Sequence, residues 1–204
     1  MTVEIFVARH GQNEDNLNGI LNGHRDLPLT NLGRQQARDL GQGILDAGLT
    51  FNAVYSSPLI RAFETARITA GIAGLPEPEV LQNLIERDFG ILSGELANDI
   101  EKICPPKDIL SVEGMRYFLN PKDGETFPQV LVRGQDVLDY IRKMHTEGKI
   151  LLVCHGDIGK MIYAAATGKD WKEVLQSFHM GNGDLIDISG NGEVHTIKLE
   201  QFNH

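Results

Sequence analysis

Two apolar runs in this 204-residue chain end on the same pair of residues, Val7-Ala8-Arg9-His10-Gly11 and Val153-Cys154-His155-Gly156. A neutral imidazole can attack phosphorus, so transfer through histidine and later hydrolysis of the phosphohistidine replaces one hard step with two easier ones. That chemistry needs the ring held in one tautomer and donors around three anionic oxygens. Arg9 offers a planar fork to such oxygens, and Gly11 lets backbone and substrate approach closely. Taken alone, Arg9-His10-Gly11 is a triplet that chance supplies, and a solvent-facing strand end is its ordinary fate. His155-Gly156 adds a second imidazole able to donate to phosphate. It precedes a helix whose N-terminal amides and dipole favour an anion. A structural histidine is the competing reading there, and the strand end next to glycine weakens it.

A third segment, Ser56-Ser57-Pro58-Leu59-Ile60-Arg61-Ala62-Phe63-Glu64-Thr65-Ala66, places an arginine near the same edge. Arg61 is expected one turn into a helix, within reach of a bound phosphate. The commoner fate of such an arginine is an exposed pairing with Glu64 or Thr65.

These residues need a scaffold. Val3 to Ala8 reads as a buried central strand. Thr30 is an N-cap for a helix burying Gly33, Ala37, Leu40, Gly41 and Ile44. Phe51 to Tyr55 reads as a second strand. Ser56-Ser57-Pro58 supplies a cap and a proline at the first position of a helix burying Leu59, Ala62, Ala66, Thr69 and Ile72 or Ala73. Val80 to Leu84 suggests a third strand. Helical periodicity returns through Val130, Val137, Leu138, Ile141 and Met144, with Gly148 as the stop signal. Lys149 to Cys154 is the clearest buried strand in the chain. A helix with Ile158, Met161, Ile162, Ala165 and Ala166 on one face then closes at Gly168. Asp170 with Glu173 resembles a capping box for a helix around Trp171 to Leu175. Asp184 to Ile188 and Val194 to Leu199 read as a hairpin through Gly190-Asn191-Gly192.

Strands alternating with helices specify an α/β fold, a three-layer α/β/α sandwich on a mostly parallel central sheet. Ligands in such folds sit outside the carboxyl ends of the strands, where His10 and His155 fall. No linker or repeat divides residues 1–204, so one domain is expected, with a variable segment around 90–125 covering the substrate.

Composition narrows the partners. The formal charge is −9, from 19 basic and 28 acidic side chains. That balance argues against nucleic acid or an anionic membrane as partner. It leaves room for a small anionic substrate in a locally basic pocket. Cys104 and Cys154 are too few for a disulfide framework, and no Cys/His spacing suggests zinc. Cys154 is expected to be a buried small hydrophobe and Cys104 a loop residue. The N-terminus turns polar too early for a signal peptide, and no stretch is long enough to span a membrane. A cytoplasmic location follows as the expectation.

The motifs together resemble the histidine phosphatase superfamily, the phosphoglycerate-mutase-like group. The resemblance is carried by Arg9-His10-Gly11-Gln12-x-Glu14-x-Asn16, Gly23-His24-x-Asp26-x-Pro28-Leu29-Thr30-x-x-Gly33-x-x-Gln36-Ala37, Ser56-Ser57-Pro58-x-x-Arg61-Ala62-x-x-Thr65-Ala66, Leu84-x-Glu86-x-x-x-Gly90-x-x-x-Gly94 and His155-Gly156. They stand in the family's order across residues 9 to 156. The resemblance implies a phosphoglycerate-mutase-like fold with His10 as the phosphorylated nucleophile. Arg9, Arg61, His155 and Gly156 would form the phosphate pocket, with Asn16 adding a contact. Glu86 would supply the proton to the leaving oxygen. An alkoxide leaves poorly, so a protonated carboxyl at the mouth suits that role. Without the resemblance, Glu86 beside Arg87 and Asp88 reads as a solvated loop charge. His24 falls in a family-like segment and is read as structural or substrate-adjacent.

Dedicated mutases of this group are longer, with added basic segments between the glutamate motif and the second histidine. Here Glu95 to Glu125 is short and mixed in charge, holding Lys102, Lys107, Arg116 and Lys122, without a paired-arginine stretch. The expected reaction is therefore hydrolysis of a small phosphomonoester from a phosphorylated metabolite, with no cofactor and no metal. Mutase-type phosphoryl return is the alternative. A catalytically silent phospho-ligand binder is disfavoured by the intact His10, Arg61, Glu86 and His155 set. Oligomeric state, including a homodimer, stays open. His145, His179, His195 and His204 have no supporting context and keep the bland reading, while Met180-Gly181-Asn182-Gly183 is a loop with room to sit near the site, a reading of little weight.

Overall fold

In the computed structural model, which describes residues 2–112, 115–189 and the backbone of 195–197, β1 (Val3–Arg9) leads into a short helix α1 (Glu14–Asn18) and a longer one, α2 (Asn31–Asp46). Strand β2 (Ala53–Ser56), helix α3 (Ile60–Ala73) and a two-residue strand β3 (Glu79–Val80) follow. The middle of the chain holds α4 (Ile100–Ile103), β4 (Ile109–Val112) and β5 (Met115–Phe118). Then come α5 (Phe127–Met144), β6 (Gly148–Cys154), α6 (Gly156–Thr167), α7 (Trp171–Ser177), β7 (Leu185–Asp187) and β8 (His195–Ile197).

The main sheet has the order β3-β2-β6-β1-β7-β8. Its β3, β2, β6 and β1 are parallel neighbours, while β7 runs antiparallel to β1 and β8 to β7. Because side chains alternate along a strand, each central strand feeds both faces. Ile5, Val7, Ile150, Leu152 and Cys154 join α5 and α6 residues such as Val137, Leu138, Ile141, Met161 and Ile162 in one core. Phe6, Ala8, Leu151 and Val153 join Leu40, Ile44 and Ala66 of α2 and α3 in the other. Each fully buried leucine or isoleucine contributes about 1.5–3 kcal/mol, so β1 and β6 are fixed from both sides. This is the expected three-layer α/β/α sandwich, and β1 and β6, paired in register from Val3↔Gly148 to Arg9↔Cys154, deliver His10 and His155 side by side.

Several elements agree with the sequence and several differ. Thr30 caps α2, its hydroxyl accepting from the Gly33 amide at 3.0 Å, and the five expected residues are the buried ones. Gly33 also carries a close approach, since a Cβ there would overlap the Gln12 carbonyl. Thr126, with Gln129, starts α5 in a capping box, and Gly168 ends α6 at φ 69°. Asp170 caps α7 by accepting from the Lys172 and Glu173 amides. Cys154 is buried, as expected.

The second strand is shifted to 53–56, because Phe51 turns into the α2–α3 core before pairing starts. Pro58 is not the first helical residue: Leu59 is the N-cap of α3, without a side-chain cap, and Ser57 accepts from the Leu59 amide instead. Arg61 consequently sits in the first turn of α3 rather than a turn further on. Of Val80 to Leu84 only Val80 is strand. Gln82–Leu84 is a single 3₁₀ turn that drops Leu84 into the core. Helix α5 ends at Met144, and Gly148, at φ 98°, opens β6 rather than closing the helix. The short helix α1, missed in the sequence, exists because Asn13 and Asn16 cap each other reciprocally. The strand expected over 184–188 is shorter, at 185–187, and the described part of the last strand is 195–197. The Gly190-Asn191-Gly192 joint lies outside the described residues.

The segment 90–125 is not bare loop. Short 3₁₀ turns and α4 lead into the antiparallel β4–β5 hairpin, and Phe89, Leu92, Ile100 and Phe118 give it a small core of its own. Among the described residues no helix is long and apolar enough to cross a membrane.

Candidate active site

His10 is placed by the end of β1. Its amide donates to the Cys154 carbonyl at 3.0 Å, extending the β1–β6 ladder by one bond. Asn182 Nδ2 donates to its carbonyl at 2.9 Å, and the next amide, Gly11, donates to Thr65 Oγ1 at 3.1 Å. The ring Nδ1 lies 2.6 Å from the Gly11 carbonyl. A carbonyl only accepts, so Nδ1 carries the proton and Nε2 keeps its lone pair. Arg61 Nε stands 3.2 Å from that lone pair. Burial first, then the Arg61 and Arg9 charges, hold the His10 pKa well below its ordinary value. The ring is thus neutral at physiological pH, with its lone pair on a defined nitrogen.

Arg61 is fully buried. Its Nη1 and Nη2 donate to the Arg25 and Gly23 carbonyls at 2.6 and 3.0 Å. Glu64 does not pair with it but holds Arg34, at 2.6 Å. Carbonyl dipoles therefore orient the Arg61 guanidinium without cancelling its charge. Burial lowers its pKa to about 10, which leaves it charged at neutral pH. Arg9 donates from Nη1 to the Met180 carbonyl at 2.7 Å, while its buried Nε has no partner.

His155 packs against His10, with ring centroids 4.9 Å apart at 61°. Its Nε2 is 2.7 Å from Ser57 Oγ. The buried Ser57 hydroxyl has no other acceptor among the described residues, so its hydrogen is directed to Nε2. Nδ1 of His155 then carries the single ring proton, and it is buried without a partner. A buried unsatisfied donor costs about 1–3 kcal/mol; an anion entering beside His10 would remove that cost.

Glu86 is only 7% exposed, against the solvated reading its neighbours suggested. One oxygen accepts from the amides of Arg87 and Ile158 at 2.8 and 3.1 Å, the other from Asp157 at 3.3 Å. The carboxyl is seated on the N-terminus of α6. Burial, followed by the Asp157 charge, raises its pKa. Its backbone carbonyl is gripped by His24 Nε2 at 2.8 Å and Arg133 Nη2 at 3.3 Å. His24 is therefore a support for Glu86. Arg87 next door is buried, bonded to Asp157 at 2.8 Å and stacked 4.1 Å from the Phe118 and Phe127 ring centroids.

These groups meet a cavity of about 410 Å³. Arg9, His10, Asn16, Arg61, Glu86 and Gly156 line it; His155 is not among the lining residues and borders the cavity only through its ring contact with His10. The Asn16 side-chain oxygen accepts from Asn182 Nδ2 at 3.4 Å and from the Asn13 amide at 3.3 Å. Met115, Arg116 and Tyr117 of the β4–β5 hairpin form part of the wall, so the 90–125 segment does border the site.

One reading of the sequence gains weight here and one needs correction. The Met180–Gly183 loop is part of the site, through the Met180 carbonyl on Arg9 and Asn182 on His10. His179 lines the cavity rather than being incidental. No periodicity marked either, because both lie in the loop before β7, whose antiparallel pairing with β1 brings it beside Arg9 and His10. His145 keeps its bland reading, bonding the Tyr55 hydroxyl at 3.0 Å. The side chains of His195 and His204 lie outside the described residues. Among the described residues no three His, Cys, Asp or Glu side chains are grouped to hold a metal ion.

A sequence profile of the histidine phosphatase superfamily (branch 1) matches residues 5–202. Phosphoglycerate mutase-like protein 4 of Arabidopsis thaliana is 30% identical over 205 residues, covering 98% of this chain and 89% of its own. A 2,3-bisphosphoglycerate-dependent phosphoglycerate mutase of Parvibaculum lavamentivorans is 33% identical over 160 residues, 75% of this chain and 74% of its own. Among solved structures, phosphoserine phosphatase of Entamoeba histolytica in complex with 3-phosphoglyceric acid superposes with a TM-score of 0.75 at 26% identity, covering 91% of this chain and 90% of that one. A mycobacterial glucosyl-3-phosphoglycerate phosphatase, 22% identical, shares the fold with a TM-score of 0.76 over 90% of this chain and 88% of that one.

Proposed function

The chain belongs to the histidine phosphatase superfamily, and on that premise we propose that it hydrolyses a small phosphomonoester through a phosphohistidine on His10. The observation that carries this reading is the Nδ1 bond of His10 to the Gly11 carbonyl, which leaves Nε2 as the lone-pair nitrogen beside Arg61.

In the proposed sequence the phosphoryl oxygens enter between Arg9 and Arg61. Arg61 Nε turns from the ring nitrogen to an oxygen, and His155 Nδ1–H supplies a further donor. Nε2 then attacks phosphorus in line with the ester oxygen. As the phosphorus–oxygen bond breaks, the Glu86 carboxyl gives its proton to the departing alkoxide. Water next attacks the phosphohistidine, losing a proton to the Glu86 carboxylate. Inorganic phosphate leaves, and His10 returns to its neutral form. The raised pKa of Glu86 supports the first proton transfer, because burial favours the protonated carboxyl.

Hydrolysis is favoured over phosphoryl return by the 90–125 segment, whose basic groups are partly neutralised: Arg116 pairs with Glu101 at 3.0 Å and Lys102 with Asp99 at 2.6 Å. A mutase reading keeps one support, the mutase names of the curated relatives. Phosphate release from p-nitrophenyl phosphate by wild type and His10→Ala, with 3-phosphoglycerate isomerisation assayed alongside, separates the readings. Phosphate release lost with His10 is expected; isomerisation without net release would replace hydrolysis with transfer.

A further inference from the structure

We propose that the Lys160 ammonium and the Tyr117 hydroxyl form a second subsite in this cavity, one that takes a carboxylate at the far end of the phosphomonoester. The inference rests on the hydrolase reading above and adds the substrate class.

Lys160 is 5% exposed, and it lines the cavity. Lysine is rarely buried to this degree unless an anion accompanies it. Among the described residues it makes no ion pair. Its ammonium donates to the Tyr117 hydroxyl at 2.8 Å and stands 4.6 Å from that ring's centroid. A neutral phenol satisfies one of three donors, and its ring attracts the charge without neutralising it. The cavity thus holds a pre-oriented cation in need of a counter-charge.

Its position fits the other end of a bound ester. Gly156 and Lys160 are four residues apart on α6, hence on one helix face and about 6 Å apart along its axis. The Gly156 end borders the phosphate groups, since a Cβ there would come within 3.7 Å of the Arg9 guanidinium. Arg9, Gly156, Lys160 and Tyr117 all line the one cavity, so a small ester held at Arg9 shares its space with the ammonium. His179 sits on the wall with its pKa lowered by burial and then by the charges of Lys160 and Arg9, which places the two cations around one space. A lone ammonium suits a monoanionic carboxylate. A second phosphate would call for a fork such as Arg9 and Arg61 provide at the first site.

The test compares 3-phosphoglycerate with glycerol 3-phosphate, which differ only in carrying a carboxylate or a hydroxymethyl group at the distal carbon. Phosphate release by wild type should favour the acid in kcat/KM by roughly ten- to hundredfold, the worth of one charge-assisted hydrogen bond. Lys160→Met, which keeps the buried stem, should collapse that ratio, and Lys160→Arg should retain most of it. Tyr117→Phe, which leaves the charge but removes its orienting acceptor, should narrow the ratio through KM. Thermal melts establish that each variant is folded. A wild-type ratio near one overturns the subsite, as does a ratio that Lys160→Met leaves unchanged because both esters lose equally. Preference for 1,3-propanediol bisphosphate over 3-phosphoglycerate overturns the carboxylate assignment. In those cases hydrolysis of aryl phosphate persists and the phosphatase reading stands. Absence of release from every ester, aryl phosphate included, retires both.

Discussion

The Ser57 hydroxyl lies 2.7 Å from Nε2 of His155, and that one bond decides which nitrogen of the second histidine bears a proton. With no other acceptor for the Ser57 hydrogen among the described residues, it goes to Nε2, and Nδ1–H is left without a protein partner. Ser57→Ala releases the ring to either tautomer and leaves it less well oriented. Turnover should fall by about tenfold, the scale of one hydrogen bond to a charged group, while Ser57→Thr retains most of it. A loss in Ser57→Ala confined to thermal stability, with kcat intact, would remove Ser57 from the mechanism.

His10→Ala should abolish hydrolysis, by roughly three orders of magnitude or more, with circular dichroism unchanged. Its backbone bonds to Cys154 and Asn182 do not depend on the ring. Rapid quenching of the wild type should trap an acid-labile, base-stable phosphoprotein that the variant lacks. Near-normal turnover in His10→Ala would refute the assignment.

Glu86→Gln should depend on the leaving group. Esters with alkoxide leaving groups need the proton and should lose about 10²–10⁴-fold, whereas p-nitrophenyl phosphate should lose far less. Equal losses on both would mean that the carboxyl only shapes the pocket. The pH profile has the same origin. Activity on alkyl esters should fall at low pH as His10 takes a proton, below its usual pKa, and fall at higher pH as Glu86 loses one, above its usual pKa. The alkaline limb should be absent or shallower in Glu86→Gln.

Stability should also follow the two histidines. Both have folded pKa values below the ordinary 6.5, so the unfolded chain binds more protons on acidification. Stability is complete above the unfolded pKa and declines as pH falls below it, by up to about 1.4 kcal/mol per pH unit for each histidine. Thermal melts between pH 7.5 and 5 should show this decline. A charge-neutral double variant, His10→Gln with His155→Gln, should flatten it. An unchanged slope in that variant would place the acid sensitivity elsewhere.

Gly33→Ala should destabilise the chain by roughly 1–3 kcal/mol through overpacking. The added Cβ would meet the Gln12 carbonyl, which also accepts from the Thr30 amide at 2.9 Å. Because that contact holds the loop after His10, kcat should fall along with the melting temperature. A neutral substitution would show that the loop can retreat.

Much of this was written locally. The continuous apolar runs at β1 and β6 can only be satisfied by cover on both sides, so the sandwich and the edge bearing His10 and His155 followed from the sequence alone. Thr30, Gly168 and the buried face of α2 were equally local, since caps and 3.6-residue periodicity act within a few residues. The motif set, read by resemblance, named Arg9, Asn16, Arg61, Glu86 and Gly156, and the fold brings all five to one cavity.

Tertiary structure alone decided the rest. Nothing near Glu86 in the sequence announces that α6, some seventy residues on, will seat its carboxyl on the Asp157 and Ile158 amides, or that burial and the Asp157 charge will raise its pKa. The roles of Ser57, Asn182, His179 and Lys160 likewise depend on partners contributed by other strands and helices. Proton positions, burial and charge balance are properties of a surrounding volume, whereas sequence pattern records only neighbours along the chain. The sequence therefore determined which histidine stands at the strand end; the packing around it determined which nitrogen is free to react.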